Sequence, residues 1–141
     1  MRLIKNFDSL NKSSQRKICL ELIEEGLNSI QPQSIIPKNI FLKENILQVQ
    51  SKTFDLKNFE RIFLLGFGKG SAGLSKEIEK ILGNFLTEGY VIDLVAEKSA
   101  NWRTKIEFTL GSHPLPSEEN YSFTKKAIEK LKGSTEKDLV I

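Results

Sequence analysis

Cysteine is almost missing from these 141 residues: Cys19 stands alone. One thiol cannot build a disulfide framework or a zinc site, and it suits a reducing compartment. Its place within a helical pattern marks it as a small core residue. Histidine is equally scarce, with His113 alone. No run approaches the roughly 18 apolar residues of a membrane helix. The opening Met1-Arg2-Leu3-Ile4-Lys5-Asn6-Phe7-Asp8 is charged from the start and lacks the apolar core of a signal peptide. These absences point to the cytoplasm and to no membrane partner. An excess of one charge is lacking too: 21 basic and 18 acidic residues are mixed along the chain, for a net charge of +3. Without a basic run there is no footprint for nucleic acid. Repeats and low-complexity tracts are also absent. What is present, 39% hydrophobic and 28% charged residues, is ordinary for a folded domain and excludes a disordered chain.

The pattern along the chain alternates helix and strand. From Asn11 to Ile30, the residues Ile18, Leu22, Ile23, Leu27 and Ile30 recur at helical spacing, with Ser13 and Ser14 available as caps. Pro32 and Pro37 are expected to end this helix. Two extended runs between Ile40 and Val49 flank Lys43-Glu44-Asn45 and read as a small hairpin. The organisation changes at Phe59. Arg61-Ile62-Phe63-Leu64-Leu65 is a compact apolar run, as in a parallel strand buried on both faces. A glycine-rich loop and a second helical pattern follow, with Leu74, Ile78, Ile81, Leu82 and Phe85 on one face. Tyr90 to Val95 is the next strand, completing a βαβ unit. Lys105 to Leu110 is a third strand, and Ser117 opens a helix with Phe123, Ala127, Ile128 and Leu131 inward, stopped by Gly133. Asp138-Leu139-Val140-Ile141 begins one more strand, as though the chain were a piece of a longer one. The fold class is therefore α/β, a parallel sheet flanked by helices and incomplete at the C-terminal end. Residues 1–58 form the leading helix and hairpin, and residues 59–141 form the phosphate-binding core.

Gly66-Phe67-Gly68-Lys69-Gly70-Ser71-Ala72-Gly73 is the most informative stretch. Glycines let a ligand approach the main-chain amides, and the helix that follows offers unpaired N–H groups and a positive dipole end. Lys69 adds a full charge at the same place. The set suits a phosphate or a carboxylate. A Walker A loop is excluded, since Phe63 stands at its first glycine and Gly70 follows the lysine. Gly68 to Gly73 matches the dinucleotide fingerprint G-x-G-x-x-G, with Asp93 placed where a ribose-binding acid could sit, although Gly66 is expected already to leave the strand. A glycine turn that only packs helix on strand is the competing structural reading.

Gly111-Ser112-His113-Pro114-Leu115-Pro116-Ser117-Glu118 follows the third strand, and so emerges on the same sheet edge as the glycine-lysine loop. His113 is held by Pro114, and the bland reading is a solvated loop histidine. Ser117 and Glu118 read as the cap and first turn of the next helix. Nothing in the sequence decides the roles of Trp102 and Arg103.

The two loops in this order, with Gly89-Tyr90-Val91-Ile92 between them, resemble the N-terminal domain of glycerate 2-kinases of the MOFRL type. The resemblance runs over nearly the whole chain and departs from the family at Ser117, usually Asp, and at Gly70, usually Ala. It implies a Rossmann-like domain whose smaller C-terminal partner domain is absent here. The implied reaction is ATP-dependent phosphorylation of D-glycerate to 2-phosphoglycerate, with ATP and Mg2+ as cofactors. Lys69 and His113 match the residues expected to act on substrate. Gly66, Gly68, Gly70, Ser71 and Pro114 complete the matched binding motifs, while metal ligands stay unassigned. Two other readings stand beside it: an NAD(P)H-dependent hydroxypyruvate reductase, and a partial domain without turnover. The oligomeric state is open, a homodimer included.

Overall fold

A computed structural model describes residues 2–94 and 105–141. Trp102, Arg103 and the Val95 end of the second expected strand lie outside the described residues. A short helix, α1 (Phe7–Leu10), precedes α2 (Ser14–Ser29), whose first turn is capped by the Ser13 side chain accepting from the Arg16 amide. The prolines do not simply end it. Pro32 starts a new helix, α3 (Pro32–Asn39), and Pro37 lies inside it. Proline at the first helical position lacks only an N–H that would have no partner there. Packing of α3 against α4 then outweighs the break that Pro37 introduces.

The expected hairpin is a three-stranded antiparallel meander: β1 (Ile40–Lys43), β2 (Ile46–Val49) and β3 (Lys52–Asp55). Its third strand was not visible as a hydrophobic run, because Lys52-Thr53-Phe54-Asp55 holds one apolar residue. Leu47 and Leu56 carry this unit into the main core, which they share with Ile62, Leu64, Leu82, Leu86 and Val91.

The main sheet is wholly parallel, in the order β6-β5-β4-β7. Its strands are β4 (Arg61–Phe67), β5 (Glu88–Asp93), β6 (Ile106–Leu110) and β7 (Asp138–Val140). Helix α4 (Ser71–Leu82) joins β4 to β5, and α5 (Glu118–Leu131) joins β6 to β7. Alternation along β5 divides the core: Val91 packs with α4 on one face, while Tyr90 and Ile92 meet Phe123 and Ala127 of α5 on the other. Burying each of these large apolar side chains contributes roughly 1.5–3 kcal/mol. Strand β7 is tied to β4 by a two-pronged ion pair, Arg61 Nε to Asp138 Oδ1 at 2.8 Å and Nη2 to Oδ2 at 2.7 Å. That guanidinium, together with the Thr135 amide, lowers the Asp138 carboxyl to about 2. Strand β4 also runs two residues further than its apolar run suggested, so Gly66 lies inside the strand.

Candidate active site

Gly66 is small because α4 crosses β4 closely. A Cβ there would meet Ser75 Oγ at 2.6 Å and Val91 Cγ2 at 3.2 Å. Gly66 therefore sets helix-to-strand distance rather than touching a ligand. Past Phe67 the chain turns through Gly68 and Gly70, at φ 94° and 83°, values that L side chains rarely adopt. Nothing crowds either position, so the requirement is conformational.

The loop is fastened to the end of β5 by hydrogen bonds. The Gly68 amide donates to the Ile92 carbonyl at 3.0 Å, and the Ser71 hydroxyl donates to the same oxygen at 2.9 Å. The Ser71 amide turns back to the Gly68 carbonyl at 3.1 Å. The Gly68 amide is thus engaged with β5 and that of Ser71 within the loop, while those of Lys69 and Gly70 have no partner among the described residues; of these two residues only Lys69 lines the cavity described below. Buried Asp93 receives the Ala72 amide on Oδ2 at 2.9 Å and the Leu94 amide on Oδ1 at 2.6 Å. Its carboxylate caps the first turn of α4. With both oxygens engaged by the main chain, Asp93 is a support for the loop, and the geometry gives no backing to a ribose-binding role.

The second loop is organised by one side chain that the sequence did not single out. Asn120 Oδ1 accepts from the Ser112 amide and from the Ser117 amide, each at 2.9 Å. It joins the two ends of the loop that bears His113, and reciprocates the Ser117 cap of α5. Gly111 fits because a Cβ there would meet Asn120 Nδ2 at 2.6 Å and Ile92 Cδ1 at 2.9 Å. The amide of Gly111 donates to the Asp93 carbonyl at 2.8 Å, so this loop and the glycine-lysine loop share one anchor on β5.

Both loops open on one cavity of about 350 Å³ at the carboxyl edge of β4, β5 and β6. It is lined by Gly68, Lys69, Asp93, Ser112, His113 and Asn120, among others. Lys69 and His113, the two residues expected to act, are therefore brought together. Both are solvent-exposed, and neither side chain has a hydrogen bond or ion pair among the described residues. Gly66, Gly70, Ser71 and Pro114 do not line the cavity; the first three shape the loop beneath it, and Pro114 follows a cis peptide bond after His113. Ser112 and Asn120 were missed as site residues, and Asp93, weighed for the ribose, lines the cavity as a support of the loop. Asn120 had one legible signal, its place three residues after the Ser117 cap. The size is that of a small-molecule site, and a lysine with two available amides suits an anion. Among the described residues no group of three His, Cys, Asp or Glu side chains could hold a metal ion. No helix among them is long and apolar enough to cross a membrane.

The fold is shared with a protein of known structure. The PH0495 protein from Pyrococcus horikoshii OT3 superposes with a TM-score of 0.71 at 23% identity, over 91% of this chain and 28% of that one. The glycerate 2-kinase of Pyrococcus horikoshii is 24% identical over 125 residues, 89% of this chain and 27% of that protein. The glycerate kinase of Rattus norvegicus is 27% identical over 73 residues, 50% of this chain and 14% of that protein. The chain thus spans little more than a quarter of the length of the two Pyrococcus horikoshii proteins and about a seventh of the rat protein. Residues 18–141 match the profile of a family described as a domain of unknown function, DUF4147. This chain belongs to the DUF4147 family, and its curated relatives are glycerate kinases.

Proposed function

We propose that this chain is the N-terminal part of a kinase that phosphorylates D-glycerate on its 2-hydroxyl, using ATP with Mg2+. The observation that carries this reading is the meeting of Lys69 and His113 on one cavity at the sheet's carboxyl edge. Its support from outside the chain is the kinship to proteins named glycerate kinase.

Phosphoryl transfer depends on positioning and on neutralising charge. The Lys69 ammonium, with the amides of Lys69 and Gly70, holds anionic oxygens of glycerate or of the moving phosphoryl group. His113 orients a substrate oxygen from the facing wall. Asp93 and Asn120 act one step back, each fixing the loop that presents a catalytic side chain. ATP supplies the phosphoryl group and Mg2+ the charge neutralisation. The described residues offer no metal cluster of their own, so in this reading both are gripped chiefly by the C-terminal domain of the longer protein.

The test is the Lys69→Met substitution in that longer protein, assayed for ATP-dependent formation of 2-phosphoglycerate. Loss of one preorganised charged donor lowers turnover by about 10²–10³. Lys69 is exposed, so the melting temperature stays at its wild-type value. Unchanged turnover refutes the role. Consumption of NADH with hydroxypyruvate, and no dependence on ATP, overturns the kinase reading in favour of a reductase.

A further inference from the structure

Fixing the His113 loop uses only one end of the Asn120 side chain. Oδ1 accepts from the main-chain amides of Ser112 and Ser117 at 2.9 Å each, and the two serine hydroxyls stand on the same oxygen at 3.1 and 3.0 Å. Its lone pairs are thereby filled. An NH2 group cannot sit opposite two N–H donors, so the chemistry decides which end of the side-chain amide points into the loop. The other end, Nδ2, is a donor with no hydrogen bond among the described residues. No buried side-chain nitrogen or oxygen among these residues lacks a partner, so Nδ2 is reachable from solvent. It lies over Gly111, where a Cβ would come within 2.6 Å of it. Gly111 and Asn120 both line the cavity that brings Lys69 and His113 together.

We propose that Asn120 Nδ2 is a ligand-binding donor of this site, taking one oxygen of the small oxyanion whose charge Lys69 meets. The proposal rests on the anion-binding reading of the cavity and adds a specificity determinant to it. Two further observations favour it. The first is that latching does not need an amide. Asn120 stands at the third position of α5, where an acidic side chain would accept the same bonds and gain from the positive end of the helix. Glu118 and Glu119 fill the two positions before it. The nitrogen is the part of the side chain that the latch leaves idle. The second is charge. The cavity already holds the Asp93 carboxylate, so another acid at position 120 would repel an anion, whereas a neutral donor adds no such charge. The two cavity donors also differ in kind. The Lys69 ammonium, on a flexible stem, attracts an anion but orients it weakly. Nδ2 is fixed in direction because Oδ1 is clamped. Together they select an anion with a second acceptor oxygen, as a hydroxy acid or a phosphate has, over a halide.

The side-chain NH2 resonances of Asn120 give the test, followed by NMR while this chain is titrated with D-glycerate and, separately, with inorganic phosphate. They are expected to shift saturably, with the same midpoint as the Lys69 amide, and the probe that binds more tightly tells carboxylate from phosphate. Asn120→Asp keeps the latch and removes the donor. The expected result is a melting temperature no lower than wild type, with the Ser112 and Ser117 amides still latched, and an affinity lower by about 10- to 100-fold, as for one hydrogen bond to a charged ligand. That loss relative to wild type persists in about 0.5 M sodium chloride, where repulsion by the added charge is screened. Asn120→Ala loses latch and donor together, so its melting temperature and its affinity both fall. Asn120 NH2 signals that stay still while the Lys69 amide moves overturn the proposal and leave the anion reading standing. So does an Asn120→Asp variant that binds as wild type, or one whose defect disappears in salt. A chain that binds neither probe overturns both.

Discussion

Helices α2 and α4 obey the same sequence rule and meet opposite fates. Each repeats large aliphatic residues every three to four positions and carries charged residues opposite. In α4 the stripe is covered by β4, β5 and the meander, so Leu82 is 1% exposed and Ile78 and Ile81 pack beside it. In α2 the stripe is bare, and the contact with the remainder is made through Glu24. Periodicity specifies that a helix forms and which face seeks cover. It does not specify whether that cover lies within the chain. The difference follows from connection: α4 is joined to buried strands at both ends, whereas α2 leads only into α3 and an edge meander.

The comparison is broken most forcefully by truncating the two stripes. Leu82→Ala leaves a hole in the core and lowers the unfolding free energy by about 2–5 kcal/mol. Leu22→Ala, measured below the concentration of any self-association, stays within about 0.5 kcal/mol of wild type. Equal losses in chemical denaturation would mean that α2 is covered within the monomer.

Glycines sharpen the contrast at smaller amplitude. Gly66→Ala drives a methyl into Ser75 Oγ and Val91, and forces α4 off β4 at a cost of about 1–3 kcal/mol. Gly26→Ala, within α2 and with open space around it, stabilises by about 0.5–1 kcal/mol through helix propensity. Thermal melts that move in opposite directions are the expected reading. A stabilised Gly66→Ala variant would show that the close crossing is not needed.

Much of the core was legible in the sequence because a parallel strand buried on both faces is an unbroken apolar run. Arg61 to Leu65 and Tyr90 to Ile92 announce themselves, and the glycine loop marks the strand-to-helix turn. Strand β3 was hidden, since a solvated edge strand needs only one apolar residue to pack. Helix α3 was hidden by its prolines, because local propensity disfavours what packing on α4 makes stable. Lys69 and His113 were legible as chemistry, and their meeting followed from two loops leaving the same edge of one sheet. Asp93 and Asn120 were less so. A carboxylate that caps a helix 21 residues away is read only once β5 is laid beside β4. Cys19, which lies exposed, was misplaced for the reason that sets α2 apart: an apolar helical face implies burial only where something covers it.

The central claim is that the lysine and the histidine frame one pocket for a small anion. Amide-resolved NMR of this chain, titrated with D-glycerate and separately with inorganic phosphate, tests it most directly. The account predicts saturable shifts confined to Lys69, Gly70, Ser112 and His113, which vanish in Lys69→Met. Shifts that persist unchanged in that variant, or that gather instead at the opposite end of the sheet around Glu88 and Lys126, would contradict it.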